Sequence, residues 1–235
     1  MPESTTRINK YIRNAGFCSR READRLIQDK RIEINGRAAV PGDKVGVNDV
    51  VSADGRVLCP KDDHTYIALN KPLGVVCTSN RVEKNNIIDF LGYDGYITYA
   101  GRLDKDSTGL ILMTDDGDLI NNMMRAANRH EKEYICTINS PVSDDFLKKM
   151  GTGVHILDTV TRKCRVNKID ERTFSIILTQ GLNRQIRRMC EACGKRVVSL
   201  KRVRVCSLEL GDLLPGEFRF LTEDEVSRLR RDVNL

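Results

Sequence analysis

Gly101-Arg102-Leu103-Asp104-Lys105-Asp106-Ser107-Thr108-Gly109-Leu110 is the stretch on which the reading of this 235-residue chain turns. It lies between two apolar runs, 96–100 and 110–113, each short enough to be a strand. Arg102 and Lys105 alternate in it with Asp104 and Asp106. A loop this charged between two core strands is either a solvated turn or a site, and its ten residues alone do not decide which.

Working outward, the segments around the loop are strand-rich. Tyr66 to Asn70, Val75 to Thr78, Leu110 to Thr114, Glu133 to Ile138, Cys164 to Lys168, Thr173 to Thr179 and Val197 to Leu210 carry the β-type pattern. Helices are fewer and unevenly placed: one capped by Asp118 and running to Ala127, one capped by Ser143 and ending at Gly151, one entered from a loop within Gln180–Cys190 and ending near Gly194, and a last one boxed by Thr222 and Glu225. This is not a regular βαβ alternation. It predicts an α+β fold with a mixed, mostly antiparallel sheet flanked by helices.

The first sixty residues read differently. Ile8, Tyr11, Ile12 and Ala15 have helical spacing, Gly16 stops that helix, and Ser19 with Glu22 opens a second. Alternating runs at 31–34 and 44–51 follow, with hairpin signals at Asn35-Gly36 and Asp54-Gly55. The polar stretch 58–65 reads as a linker. Two domains are expected, 1–63 and 64–235.

Composition sets outer bounds. Forty per cent hydrophobic and 31 per cent charged is an ordinary soluble mixture, and the net charge of +6 mildly favours a polyanionic partner. The eight cysteines are scattered in a chain large enough to bury a core. No apolar leader precedes them, so reduced thiols in a cytoplasmic protein are expected. No apolar run approaches the roughly 20 residues of a membrane span. Cys190 and Cys193 lack a second pair to complete a zinc site, and His64, His130 and His155 lie in polar or loop surroundings.

Charge is clustered. Residues 7–37 hold nine Lys/Arg against four Asp/Glu, with Arg7, Lys10, Arg20 and Arg21 on the polar sides of the two helices. Residues 181–206 hold eight Lys/Arg against Glu191 alone, across a helix and the following strand. A structured basic patch is the footprint of a protein that tracks an RNA backbone.

Ile8-Asn9-Lys10-Tyr11-Ile12, Gly16 and Cys18-Ser19-Arg20-Arg21-Glu22-Ala23-Asp24, followed by Ile34-Asn35-Gly36 and Gly42-Asp43-Lys44-Val45, resemble an S4 RNA-binding module. The 101–110 loop, continued by Ile111, resembles the catalytic motif of pseudouridine synthases. Asn70-Lys71-Pro72-Leu73-Gly74 resembles that family's first motif. The 181–189 stretch, Gly-Leu-Asn-Arg-Gln-Ile-Arg-Arg-Met, resembles its last, in the form of the S4-bearing branch that acts on ribosomal RNA (the RsuA/RluB/RluE/RluF group). The match runs from about Arg7 to Leu229. Residues 130–134, 159–164 and 188–191 are most similar to the members that modify 23S ribosomal RNA near the peptidyl-transferase centre and an anticodon uridine of tyrosine tRNA.

The resemblance implies roles residue by residue. Asp104 is the essential carboxylate, attacking C1′ or C6 or taking a proton from C2′. Arg187 pairs with it. Tyr134 stacks on the target base and takes part in proton transfer. Arg102 enters the RNA stack where the uridine leaves, and Lys71 meets a phosphate or supports the site. Arg184, Arg188, Lys201 and Arg202, with Arg7, Lys10, Arg20 and Arg21, contact RNA. Asp106 is implied only as a structural acid. No cofactor and no metal are implied, and a monomer is expected. No Lys-rich tail follows Leu235, so RNA is expected to be held by folded surfaces. Two rivals stand beside this reading: a sibling synthase with another rRNA target, and a non-catalytic S4-type assembly factor.

Overall fold

The computed structural model describes residues 5–61, 63–80, 82–125 and 129–235. They form two compact units. The first takes residues up to Thr65 together with Gly92–Thr98 and Thr114–Gly117, and the second takes the remainder. The first unit is thus discontinuous in sequence, unlike the expected division at 63/64. The reason is local. Asp115 accepts from the Thr65 amide at 3.0 Å and lies 3.2 Å from His64 Nδ1, while the Thr65 and Tyr93 hydroxyls stand 3.0 Å apart.

In the first unit the order is β1 (Thr6–Arg7), α1 (Ile8–Asn14), α2 (Arg20–Gln28), β2 (Ile32–Ile34), β3 (Arg37–Ala38), β4 (Lys44–Val45), β5 (Val51–Ala53) and β6 (Arg56–Leu58). Antiparallel pairing gives a sheet in the order β3-β2-β5-β6, and β1 pairs with β4. Ile8 and Ile12 of α1 and Ala23, Leu26 and Ile27 of α2 bury against Ile32, Ile34, Val51 and Leu58. The helices therefore use their apolar stripes on the sheet and leave Arg20, Arg21 and Arg25 exposed, whereas Arg13 is half-buried with its Nε shielded. Ser19 caps α2 by accepting from the Glu22 amide at 3.2 Å, but Glu22 turns to Arg25, so the expected box is half made. The expected strand at 44–51 is two strands, because the Asp49 carboxylate accepts from the Gly46 amide at 2.7 Å and folds the chain between them.

In the second unit come β7 (Tyr66–Lys71), α3 (Ile87–Leu91), β8 (Thr98–Ala100), β9 (Thr108–Thr114), α4 (Gly117–Met124), β10 (Lys132–Ile138), α5 (Asp144–Thr152), β11 (His155–Ile156), β12 (Thr159–Val160), β13 (Arg165–Lys168), β14 (Thr173–Leu178), α6 (Gln185–Ala192), β15 (Val197–Val205), β16 (Leu208–Glu209), β17 (Phe218–Phe220) and α7 (Glu223–Asp232); β8, β9 and α4 cross the boundary between units. The main sheet runs β13-β14-β10-β15-β9-β7-β17, with β8 beside β9 and β16 beside β15. It is mixed and mostly antiparallel: β9 and β15 run parallel, with Arg202 opposite Gly109. Gly109 has φ of 105°, and a Cβ there would collide with the Arg202 carbonyl oxygen, so only glycine admits this pairing. One core lies around Phe146, Phe174, Ile176, Ile186 and Met189, and another around Leu110, Leu112, Leu119, Leu208 and Leu229.

Three expected elements differ. Val75 to Thr78 is not a strand; Val76 makes an isolated bridge to Asn86. Val197 to Leu210 is a hairpin, broken at Cys206 with φ of 52°. The helix expected from Asp118 starts at Gly117, and its expected end at Ala127 lies outside the described residues. Among the described residues no helix is long and apolar enough to cross a membrane.

Candidate active site

Residues 101–107 of this stretch are the loop joining β8 to β9, and Thr108, Gly109 and Leu110 already belong to β9. The loop is held by its own backbone and by a neighbouring loop. Ser107 donates its amide to the Asp104 carbonyl at 3.0 Å, and Gly74 donates to the Lys105 carbonyl at 2.9 Å. Leu103 is buried, and its amide faces Cys77 Sγ at 3.4 Å. Anchoring Leu103 inward leaves the next side chain, Asp104, facing a cavity of about 620 Å³ with its carboxylate 37% exposed.

The opposite wall comes from β10 and from the entry to α6. Tyr134 stands on β10, half-buried, beside Ile176 on β14 and Arg202 on β15. Lys132 lies two residues earlier, hence on the same strand face, and also lines the cavity. Burial, reinforced by Arg202, pushes its ammonium pKa below the usual lysine range. Leu182 packs partly on the core beneath the cavity. Gln185 accepts from the Leu182 amide through Oε1 at 3.1 Å, and Arg184 takes a left-handed φ of 49° before α6 begins. That turn aims Arg184 at the 101–107 loop.

The arginine pairing differs from the expected one. Arg187 does not pair with Asp104. Its Nη2 donates to the Asp106 carbonyl at 2.7 Å and to Ser107 Oγ at 3.3 Å, and its Nε lies 3.3 Å from the Asp106 carboxylate. Arg184 grips that same carboxylate with both terminal nitrogens, at 3.1 and 2.8 Å. Its Nη1 is also 3.8 Å from Asp104 Oδ2. The Arg184 hydrogen bonds hold the Asp106 carboxyl below the usual carboxylate range, with Arg187 adding to the effect. The physical reason for the shifted pairing is reach: α6 starts beside Asp106, so both guanidiniums meet that acid first.

Two expected RNA contacts are buried. Lys71 is 0% exposed and donates to the Pro72 and Val75 carbonyls at 2.9 and 2.7 Å. It braces the neighbouring loop and cannot meet a phosphate. Arg202 is 2% exposed, and its Nε donates to the Leu110 carbonyl at 2.7 Å. Strand alternation turns Lys201 outward and Arg202 inward. Arg102 is exposed and lines the cavity, as does Arg184; Arg188 is half-buried and bonds Asn183. In the first unit Arg7, Arg20 and Arg21 are exposed and Lys10 partly so.

Sequence reasoning thus brought Asp104, Tyr134, Arg184 and Arg187 to one cavity and left Lys132, His130 and the two arginine partners of Asp106 unread. Lys132 had a signal in the alternation from Tyr134. Asp106 had none, since its partners lie 78 and 81 residues away.

Residues 65–192 match the RNA pseudouridylate synthase family, and residues 6–51 match the S4 domain. The chain is 50% identical over 228 residues to a Salmonella typhi protein named dual-specificity RNA pseudouridine synthase RluF, covering 96% of this chain and 79% of that one. It is 33% identical over 233 residues to the Bacillus subtilis ribosomal large subunit pseudouridine synthase B, covering 95% of each. A crystal structure of a pseudouridylate synthase, 28% identical, superposes with a TM-score of 0.69 over 95% of this chain and 99% of that one. With residues 65–192 and 6–51 matched in this way and half of its residues shared with an RluF protein, the chain belongs to the S4-bearing, RluF-like branch of the RNA pseudouridine synthases, the enzymes that isomerise uridine to pseudouridine in RNA.

Proposed function

We propose that the substrates are a uridine of 23S ribosomal RNA near the peptidyl-transferase centre and an anticodon uridine of tyrosine tRNA. The observation that carries the site assignment is the placing of Asp104, part exposed, in the same cavity as Tyr134. The choice of RNAs is supported by the 50% identity to a protein named for dual specificity.

The reaction breaks the N1–C1′ bond and forms a C5–C1′ bond; N1 gains a proton and C5 loses one. Atoms and electrons balance within the nucleotide, so acid, base and nucleophilic side chains suffice. Asp104 acts in its ionised form on the target nucleotide. Tyr134 stacks on the uracil and takes part in moving the C5 proton. Arg187 acts at one remove, tying the Asp106–Ser107 end of the loop to α6.

The target base must first leave its stack, at a cost of a few kcal/mol. Arg102, exposed at the cavity, fills the gap that the base leaves. Phosphate contacts from Arg184, Arg188 and Lys201, and from Arg7, Lys10, Arg20 and Arg21, offset that cost. The enzyme works as a cytoplasmic monomer.

The direct test is Asp104→Asn. Pseudouridine formation is expected to vanish while RNA binding survives; an active Asp104→Asn enzyme overturns the assignment. Target choice is tested by mapping pseudouridine in RNA from cells lacking the gene. If both the 23S site and the tyrosine-tRNA anticodon are still modified, the proposed targets are wrong.

A further inference from the structure

Lys132 lines the same cavity as Asp104 and Tyr134, and no step above uses it. It precedes Tyr134 by two residues on β10, so the two share a strand face with about 6.6 Å between them. Arg202, the β15 residue opposite Tyr134, also lines the cavity; it is buried, and its Nη2 has no partner among the described residues. Among the described residues around the cavity Asp104 is the one acid. The Lys132 ammonium makes no hydrogen bond or ion pair with any of them. Burial, and then Arg202 as a second cation, act against its charge and lower its pKa. Cys206 also faces it, but burial pushes that thiol up to about 11 and leaves it neutral. An ammonium sunk beside another cation without a counter-ion is costly to hold, and an arriving anion offsets that cost.

We propose that Lys132 is a catalytic residue whose ammonium donates a hydrogen bond to a ring oxygen of the target uracil and holds the negative charge the ring acquires during isomerisation. The ring becomes anionic by every route open to Asp104. If Asp104 attacks C1′ or takes a proton from C2′, the N1–C1′ bond breaks and its electron pair enters the uracil, spreading over N1, O2 and O4. If Asp104 attacks C6, the C5–C6 π pair moves onto O4. Lys132 stays protonated and exchanges no atom, and the ring gives up the pair when C5 bonds to C1′. The starting uracil is neutral, so the contact strengthens as charge grows, and only such a contact lowers the barrier. Depth selects the ring over a phosphate. A flipped nucleotide sends its base into the pocket and keeps its phosphates on the backbone at the surface, whereas Lys132 is half-buried beside the fully buried Arg202. This inference rests on the proposed roles of Asp104 and Tyr134.

The experiment uses the full chain in excess over an RNA fragment carrying the site that the wild-type enzyme modifies in RNA from cells lacking the gene. Single-turnover pseudouridine formation, RNA affinity by filter binding and urea denaturation are read. Lys132→Met keeps a side chain of similar length and removes the charge. It is expected to slow the single-turnover step by roughly a hundred- to thousandfold, as loss of one donor to a developing oxyanion does. Affinity and its salt dependence should change little. Stability should equal or exceed that of the wild type, because an ammonium beside Arg202 is gone. Lys132→Arg, which keeps a cation and cannot accept a proton, is expected to retain markedly more of the rate than Lys132→Met. Equal loss in both variants would make Lys132 a proton acceptor and overturn the proposal. Weaker RNA binding with an unchanged single-turnover rate would make it a phosphate contact and overturn it too. A Lys132→Met protein that loses stability along with activity assigns the ammonium to the fold, with the same result. An active Asp104→Asn enzyme would instead bring down the underlying site assignment, whatever the Lys132 variants do.

Discussion

Arg20 and Arg202 are the same residue doing opposite work. Arg20 stands on the exposed polar side of α2, and its side-chain contact is a single bond to Asn9 at 3.1 Å. Arg202 lies under the 101–107 loop, 2% exposed, bonded to the Leu110 carbonyl, with Nη2 buried and unpartnered among the described residues. The first can leave its place to meet a phosphate. The second cannot, and its guanidinium instead ties β15 to β9 where the 101–107 loop ends. In a basic RNA enzyme, then, counting positive charges overstates the RNA-facing surface. Strand parity and depth decide which cations reach substrate.

The hardest break of that contrast is Gly109→Ala. The added Cβ would overlap the Arg202 carbonyl oxygen and stand 2.6 Å from its nitrogen, at a φ of 105° that alanine resists. The parallel pairing of β9 with β15 should open, costing more than about 3 kcal/mol, in the range of severe single substitutions. Urea denaturation reads this; a loss below about 1 kcal/mol would mean that the strands shift apart freely. Next in size is Arg202→Ala, which leaves a cavity and strips the Leu110 carbonyl of its donor. A loss of roughly 2–4 kcal/mol is expected. A stable variant whose only defect is weak RNA binding would instead make Arg202 a substrate contact.

Between the extremes sits Arg219, about a third exposed and paired with Glu225 at 2.6 Å at the start of α7. Its hydrogen bond to Arg219, helped by the Thr222 amide and hydroxyl, pulls the Glu225 pKa down from 4.5 to about 2. A depressed carboxyl stabilises the fold above its unfolded pKa. That contribution is therefore complete above about pH 5 and is lost as pH falls from 4.5 towards 2. Allowing for solvent screening, it amounts to about 1–2 kcal/mol. Glu225→Gln should flatten this part of the stability–pH curve. An unchanged acid slope would assign the loss to other carboxyls.

Much of the architecture was legible because it rests on local rules. The strands around Asp104, the Ser19 and Thr222 caps and the hairpin at Asn35-Gly36 each depend on a few neighbouring residues. What was not legible depends on approach between distant segments. Lys71 and Arg202 look like surface cations until the strands that bury them are assembled. The expected Asp104–Arg187 pair failed because the start of α6 falls beside Asp106, which nothing in the loop's own sequence announces. The split of the 44–51 run was hidden for a smaller reason, since alternation does not show a carboxylate of Asp49 bridging back to Gly46.

The gentlest test falls on the exposed side. Replacing Arg20 and Arg21 together by Gln should change unfolding free energy by no more than about 0.5 kcal/mol, as surface substitutions away from caps and cores do. The Ser19 cap is made by its own hydroxyl to the Glu22 amide and survives the change. RNA binding should respond where stability does not. Each lost phosphate contact lowers the slope of log K against log salt by about 0.7–0.9. The double variant should therefore bind a structured RNA more weakly at low salt and show a slope shallower by up to about 1.8. Both proteins should converge in affinity as salt rises, because the contacts removed are the ones that salt screens. A variant with an unchanged slope but lower thermal stability would put these arginines in the same class as Arg202, holding the fold instead of the RNA.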